Sequence, residues 1–262
     1  MIDCNNAPTP LDVNQRLTKV MCPANEEEKE KMKDVPFRKL VGGLQFIAQC
    51  SRPDISHAVS LVSSYCSNPG SAHWTAAKRI LRYLRGTKHE KLTYTRAGDT
   101  RLYGYSDADW GNDPDTRRSV SGYVFLQNGG AASWNSKRQS TVALSTTEAE
   151  YMALSTATQE AMWWKGFLFD LHGTNDALVI HCDNKSAINL AEREVGYSAR
   201  SKHIDIRHHY VREQVVAKTI KLEYVASDLQ AADILTKPLA GPKHIEDKTK
   251  LGVYEFRLKG GC

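Results

Sequence analysis

The hydrophobic period of this chain changes once, near residue 98, and that change limits what it can fold into. Before it, apolar residues recur at helical spacing. Leu40, Val41, Leu44, Ile47 and Ala48 form one stripe. Ile55, Ala58, Val59 and Val62 form a second after Pro53, a favoured first helical residue. Ala77, Ile80, Leu81 and Leu84 form a third, with Lys78, Arg82 and Arg85 on the opposite face. Asn68-Pro69-Gly70 parts the second helix from the third. Residues 1–23, with Pro8, Pro10 and Pro23, read as an extended lead-in.

Beyond residue 98 strands begin. Leu102 to Ser106 is strand-like, and Ser121 to Leu126 and Ala131 to Trp134 flank Asn128-Gly129-Gly130 as a hairpin. Ser145 then opens a long helix to about Leu171. A short apolar strand, Ala177 to Cys182, leads into a helix opened by Asp183-Asn184. A polar helix over about 201–218, a last strand from Ile220 to Val225 and a short helix from Leu229 to Leu235 follow. This order predicts an α/β chain, a mixed sheet with flanking helices preceded by a small helical unit. The expected divisions are 1–98, 99–240 and a tail, 241–262.

Composition excludes several classes. The 262 residues are 41% hydrophobic and 25% charged, which excludes a mainly disordered or fibrous chain. No apolar run is long enough to span a bilayer, so no membrane partner is expected. Met1-Ile2-Asp3-Cys4-Asn5 has no basic n-region before an apolar stretch, unlike a secretory signal. Six cysteines without a CxxC pair read as reduced thiols of an intracellular protein. The net charge of +5 permits a polyanionic partner without demanding one.

The placement of single carboxylates is more informative. Asp107 ends the first strand of the sheet, Glu150 lies one turn into the long helix, Asp183 follows the short apolar strand, and Asp233 lies in the final short helix. A mixed sheet can bring strand ends and helix starts to one edge. Carboxylates gathered there repel one another unless cations lie between them. Oxygen-only ligation suits Mg²⁺, and two such ions can serve phosphodiester hydrolysis. Mn²⁺ accepts the same ligands.

Four segments carry a family resemblance: Tyr105-Ser106-Asp107-Ala108-Asp109-Trp110, the run from Leu144 to Ala153 (LSTTEAEYMA), His181-Cys182-Asp183-Asn184-Lys185-Ser186-Ala187, and the run from Leu229 to Leu239 (LQAADILTKPL). They resemble the ribonuclease H domain of copia-type LTR retrotransposon Pol polyproteins. Lys202 to His209 resembles that family's run before the last strand. Gly42 to Phe46, Ser51-Arg52-Pro53-Asp54-Ile55 and Ala76 to Leu84 are similar to the reverse transcriptase thumb and connection.

The resemblance implies a ribonuclease H-like, five-stranded mixed sheet with flanking helices at 99–240, behind a thumb/connection-like segment at 1–98. It implies metal-dependent cleavage of the RNA strand of RNA–DNA hybrids, with Asp107, Glu150, Asp183 and Asp233 as catalytic metal ligands for two Mg²⁺ ions. Thr146, Thr147 and Asn184 fall where related enzymes touch nucleic acid. Lys78, Arg82 and Arg85 are placed to track phosphates. Expected partners are an RNA–DNA hybrid and the rest of the Pol polyprotein, in a cytoplasmic retrotransposon particle or the nucleus.

Other readings stay open at individual residues. Glu148 fits a capping box with the Ser145 backbone amide, and the resemblance places Glu150, two residues before Met152-Ala153, at the family's acidic position. Asp109 shares the side of its strand with Asp107. Asn184 also fits a helix N-cap. His203, His208 and His209 have poor helical spacing for joint metal ligation. The stretch Glu223 to Ala232 contains none of the loop histidine that some ribonucleases H carry.

No Tyr-x-Asp-Asp and no Asp-Thr-Gly or Asp-Ser-Gly occurs, so no polymerase activity is expected of this chain alone. It reads as a C-terminal piece of a Pol protein or a shortened gene copy. A catalytically inactive or repurposed transposon remnant, acting as a nucleic-acid-binding or interaction module, is the alternative function. An integrase-like recombinase is disfavoured by the Ala-Asp-Ile-Leu context of Asp233 and the lack of a preceding His-Cys zinc unit.

Overall fold

Helices fill the first part of the chain, as their apolar spacing predicts. The computed structural model describes residues 4–96, 98–192 and 202–255, with 202–208 as backbone alone. Helices α1 (Glu26–Lys33), α2 (Phe37–Cys50), α3 (Ser56–Ser63) and α4 (Ser71–Gly86) precede a short strand, β1 (Glu90–Leu92). Phe37, Val41, Leu44, Ala48, Ile55, Val59, Val62, Ala77 and Ile80 share one core, onto which Ala7, Leu11 and Leu17 of the lead-in also pack. Ile47, placed on the stripe by spacing, is partly exposed instead.

The Arg52-Pro53-Asp54 sequence builds a buried polar knot beneath this core. Pro53 starts a 3₁₀ turn, Pro53–Ile55. Arg52 donates to both Asp54 oxygens, at 2.8 Å from Nε and 2.7 Å from Nη2. Tyr83 of α4 donates its hydroxyl to Asp54 Oδ2 at 2.6 Å, and Arg52 Nη2 reaches Thr87 Oγ1 at 2.8 Å. Burial pushes the Asp54 carboxyl up, but the Arg52 fork overrides it and holds the group below the usual carboxylate range.

The sheet comes from β2 (Tyr103–Asp109), β3 (Val120–Gln127), β4 (Gly130–Arg138), β5 (Leu178–Cys182) and β6 (Ile220–Tyr224), in the order β4-β3-β2-β5-β6. The first three strands pair antiparallel, and β2-β5 and β5-β6 pair parallel. This is the mixed five-stranded arrangement of a ribonuclease H-like fold. Asn128 and Gly129 both have positive φ, 53° and 77°, which gives the two-residue turn that matches strand twist in a hairpin.

Helix α5 (Thr146–His172) covers one sheet face with α6 (Lys185–Glu192) and α7 (Lys202–Val216). Ser145 caps α5 by accepting from the Glu148 amide at 3.1 Å. Glu148 reaches back to the Leu144 amide, 2.8 Å away, one residue before the expected Ser145. Gly173, at φ 68°, ends the helix in the left-handed region. The other face packs on the 3₁₀ turn Asp233–Leu235 and on Leu251 and Val253.

The expected tail contains α8 (Gly241–Lys250) and β7 (Val253–Glu255), and β7 pairs antiparallel with β1. Lys248 pairs with Glu90 at 2.6 Å, the His244 ring meets the Tyr83 ring edge-on, and Trp134 Nε1 donates to Ala48 O at 2.9 Å. The helical layer and the sheet are thereby bonded together. Among the described residues, no helix is long and apolar enough to cross a membrane.

Candidate active site

Strand topology gathers the acidic residues. β2 and β5 are parallel neighbours, so their carboxyl ends point the same way and place Asp107 and Asp183 at one edge. The first turn of α5 brings Glu150 to the same place, because Glu150 takes a backbone hydrogen bond from Ala108 of β2. Asp233 opens the 3₁₀ turn on the opposite sheet face. Asp107, Glu150 and Asp233 are all buried, and Asp183 is half-buried.

Close approach depends on Gly122, the residue paired with Asp107 across β3. A Cβ there would lie 2.7 Å from Thr236 Cγ2 and 2.8 Å from Leu235 Cβ. The bare glycine lets the Asp233 turn settle beside Asp107, and Thr236 donates its hydroxyl to Asp107 Oδ2. Gln230, fully buried, donates to Ser106 O at 3.0 Å and fastens the same segment to β2. Gly122→Val is therefore expected to displace the turn and cost about 1–3 kcal/mol, as overpacked sites do. Urea unfolding measures the loss, and an unchanged midpoint would contradict it.

The charges are mutually unfavourable. Burial pushes the Glu150 carboxyl up to about 10, with Asp107 and Asp183 adding to the shift. Burial and Asp107 push Asp233 up to about 7, and burial raises Asp107. Glu150 Oε2 is buried and has no hydrogen-bond partner among the described residues. Ser227 donates to Asp183 Oδ2 at 2.6 Å, and Lys237 pairs with Asp233 Oδ1 at 2.9 Å. Among the described residues neither Glu150 nor Asp183 has an ion-pair partner. A buried carboxylate oxygen without a partner, facing other carboxylates, is satisfied by a hard cation. The donor set thus fits a divalent metal bound through oxygen.

A pH dependence follows. The folded pKa of Glu150 lies above its ordinary 4.5, so its stabilising contribution is full below pH 4.5 and is lost as pH rises toward 10. Without metal, Glu150→Gln is expected to flatten that loss and raise the melting midpoint at pH 8 by at least about 3 °C. Thermal scans in EDTA from pH 5 to 9 measure it. Parallel curves for both proteins would contradict it.

Cys182 Sγ, Glu150 and Asp183 offer atoms that all lie within 4.8 Å of one another. Burial raises the Cys182 thiol strongly, which keeps it protonated and a poor ligand. Asp109 accepts from Asn112, a local role beside the cluster.

Thr146 and Thr147 stand in the first turn of α5, and Asn184 stands next to Asp183. Asn184 Oδ1 accepts from the Ala187 amide at 2.9 Å, so its capping role is present. Lys78, Arg82 and Arg85 lie on α4. Arg82 donates to Asn5 O at 2.6 Å, Arg85 donates to Cys4 O, and Lys78 sits 5.6 Å from the Trp74 ring centre. The side chains of His203 and His208 lie outside the described residues, and His209 is exposed. Ser227, Gln230, Thr236 and Lys237 were not singled out by spacing. For Gln230, Thr236 and Lys237 the signal is the dense Leu229–Leu239 segment, where these side chains face β2 or a carboxylate; Ser227 lies outside it and carries no such signal.

An α/β sheet with one acidic cluster at the carboxyl ends of its central strands is the class of architecture this chain defines. The chain is 45% identical over 246 residues to the retrovirus-related Pol polyprotein from transposon TNT 1-94 of Nicotiana tabacum, covering 94% of this chain and 18% of that protein. It is 38% identical to the Pol polyprotein from transposon RE2 of Arabidopsis thaliana, over 83% of this chain and 15% of that protein. Secreted RxLR effector protein 161 of Plasmopara viticola is 54% identical over 132 residues, covering 50% of this chain and 93% of that protein. No protein-family model matches the chain. It is similar to the solved LC11-RNase H1 in complex with RNA/DNA hybrid, at 13% identity, 52% of this chain, 94% of that chain and a TM-score of 0.40. It is also similar to the foamy viral protease-reverse transcriptase in complex with dsDNA, at 14% identity, 82% of this chain, 45% of that chain and a TM-score of 0.46.

The chain is thus similar to one segment of retrovirus-related transposon Pol polyproteins, of which it spans under a fifth in length.

Proposed function

We propose that this chain is a metal-dependent ribonuclease H that hydrolyses the RNA strand of RNA–DNA hybrids during retrotransposon reverse transcription. The observation that carries this reading is the convergence of Asp107, Glu150, Asp183 and Asp233, with a buried Glu150 oxygen that has no partner among the described residues. These four residues would hold two Mg²⁺ ions, with Mn²⁺ as a substitute. When bound, such ions supply an activated water and stabilise the leaving oxygen of a phosphodiester.

The chain's own residues supply position and charge. Thr236 and Ser227 fix the rotamers of Asp107 and Asp183. Thr146, Thr147 and Asn184 border the cluster, where their hydroxyl and amide groups can meet sugar and phosphate. Hybrid is selected by backbone shape and the 2′-hydroxyl rather than by base sequence. Lys78, Arg82 and Arg85 would add phosphate contacts from the thumb/connection-like segment. In this reading residues 99–240 hold the nuclease domain, and the remainder of a Pol polyprotein is its partner inside the cell, in a particle or the nucleus.

A hybrid labelled on each strand tests the reading. Incubated with Mg²⁺, the chain is expected to cut the RNA strand alone, and EDTA is expected to stop it. Hybrid binding is expected to weaken steeply between about 50 and 200 mM salt. Binding without cleavage in either Mg²⁺ or Mn²⁺ would instead support a repurposed interaction module. The effector protein of Plasmopara viticola favours that second reading, because this chain covers nearly the whole of it.

A further inference from the structure

The acidic cluster has two unlike halves. On one side, Glu150 and Asp183 face each other, and among the described residues no cation is bonded to either. On the other, the Lys237 ammonium lies 2.9 Å from Asp233 Oδ1, beside Asp107. Lys237 is placed there by the backbone. Its amide donates to Asp233 O at 3.2 Å, which folds the side chain back over the turn, and Pro238 follows it. Its stem lines a small cavity shared with Thr9, Pro10 and Leu11 of the lead-in. Yet the Lys237 side chain is 38% exposed, against 8% for Asp233, so its four-carbon stem has room to swing outward.

We propose that Lys237 is a built-in cation that holds the Asp107–Asp233 half of the site in the absence of metal and yields that half to the second divalent ion. This rests on the two-metal reading above and adds an order to it. The first ion would enter at Glu150 and Asp183, which have no ion-pair partner among the described residues, and where Lys237 acts only through its field on Glu150. The second must displace an ammonium, so it binds more weakly. Lys237 is thus a positioning residue that sets the metal concentration at which the site fills. An ammonium also limits carboxylate repulsion in the empty site, so the metal-free chain keeps its geometry.

Calorimetric titration of the intact chain with Mn²⁺ alone, without nucleic acid, tests this. Wild type is expected to show a tight and a weak binding step. Lys237→Met is expected to tighten the weak step at least tenfold and to lower the melting midpoint in EDTA. Lys237→Arg is expected to keep the wild-type pattern, and Lys237→Gln provides the same test should the methionine variant fail to fold. An unchanged weak step in the folded methionine or glutamine variant would overturn the proposal, even with cleavage intact. A tightened step in a chain that never cuts hybrid would uphold it and overturn the nuclease reading. Failure of every form to bind Mn²⁺ would overturn both.

Discussion

Replacing Asp183 by Asn is expected to lower RNA-strand cleavage by at least about a hundredfold. Outer partners of metal ligands already cost about 10–100-fold when removed, so a direct ligand sets its floor at the top of that range. The substitution keeps size and shape, and an amide oxygen can still accept from Ser227. What it removes is one negative charge beside Glu150 and Asp107. The same change is therefore expected to leave the melting midpoint in EDTA equal to wild type or higher. Rate and midpoint measured on one preparation separate the two effects. Loss of cleavage with a large drop in midpoint would assign Asp183 a structural role instead. Cleavage within about tenfold of wild type would remove it from the proposed metal site.

Asp54→Ala is expected to produce the largest loss of stability, about 3–5 kcal/mol. Arg52 and Asp54 are both almost fully buried, at 6% and 2% exposure. Truncation would leave the guanidinium with Thr87 as its remaining hydrogen-bond partner and would remove the acceptor of the Tyr83 hydroxyl. Breaking one partner of a buried pair leaves an uncompensated charge, which costs far more than the pair contributes at a surface. Asp54→Asn keeps an acceptor and is expected to lose less. Urea unfolding of both variants measures the difference. A loss below about 1 kcal/mol for Asp54→Ala would contradict a dry, buried pair. Because Tyr83 also meets His244 of α8, the loss is expected to reach the attachment of the C-terminal segment to the helical layer.

The sequence made some of this legible and hid the rest for physical reasons. The stripes of α2, α3 and α4, the Asn128-Gly129 hairpin and the Ser145 cap all follow from local geometry, which a single segment encodes. Helix α1 was invisible to periodicity, since Glu26–Lys33 carries almost no apolar residue and is held by the Asn25 cap and Glu–Lys pairs. The role of 241–255 was also hidden, because β7 pairs with β1 across some 160 residues and no local pattern announces a distant partner.

The site divided in the same way. The ends of β2 and β5 and the start of α5 were readable, and so the carboxylates of Asp107, Asp183 and Glu150 could be grouped. Gly122, Gln230, Thr236 and Lys237 act through contacts between β2, β3 and the last turn. Their importance comes from tertiary approach, not from spacing. Arg82 and Arg85 show the opposite lesson: a basic helix face read as a phosphate track also ties the lead-in down through Asn5 and Cys4.

That the four carboxylates form one cation-binding centre is tested most directly by anomalous diffraction from crystals of the chain soaked in Mn²⁺. The account predicts anomalous density among Asp107, Glu150, Asp183 and Asp233, with the first ion on the Glu150–Asp183 side. Density elsewhere with this cluster empty at saturating Mn²⁺ would contradict it.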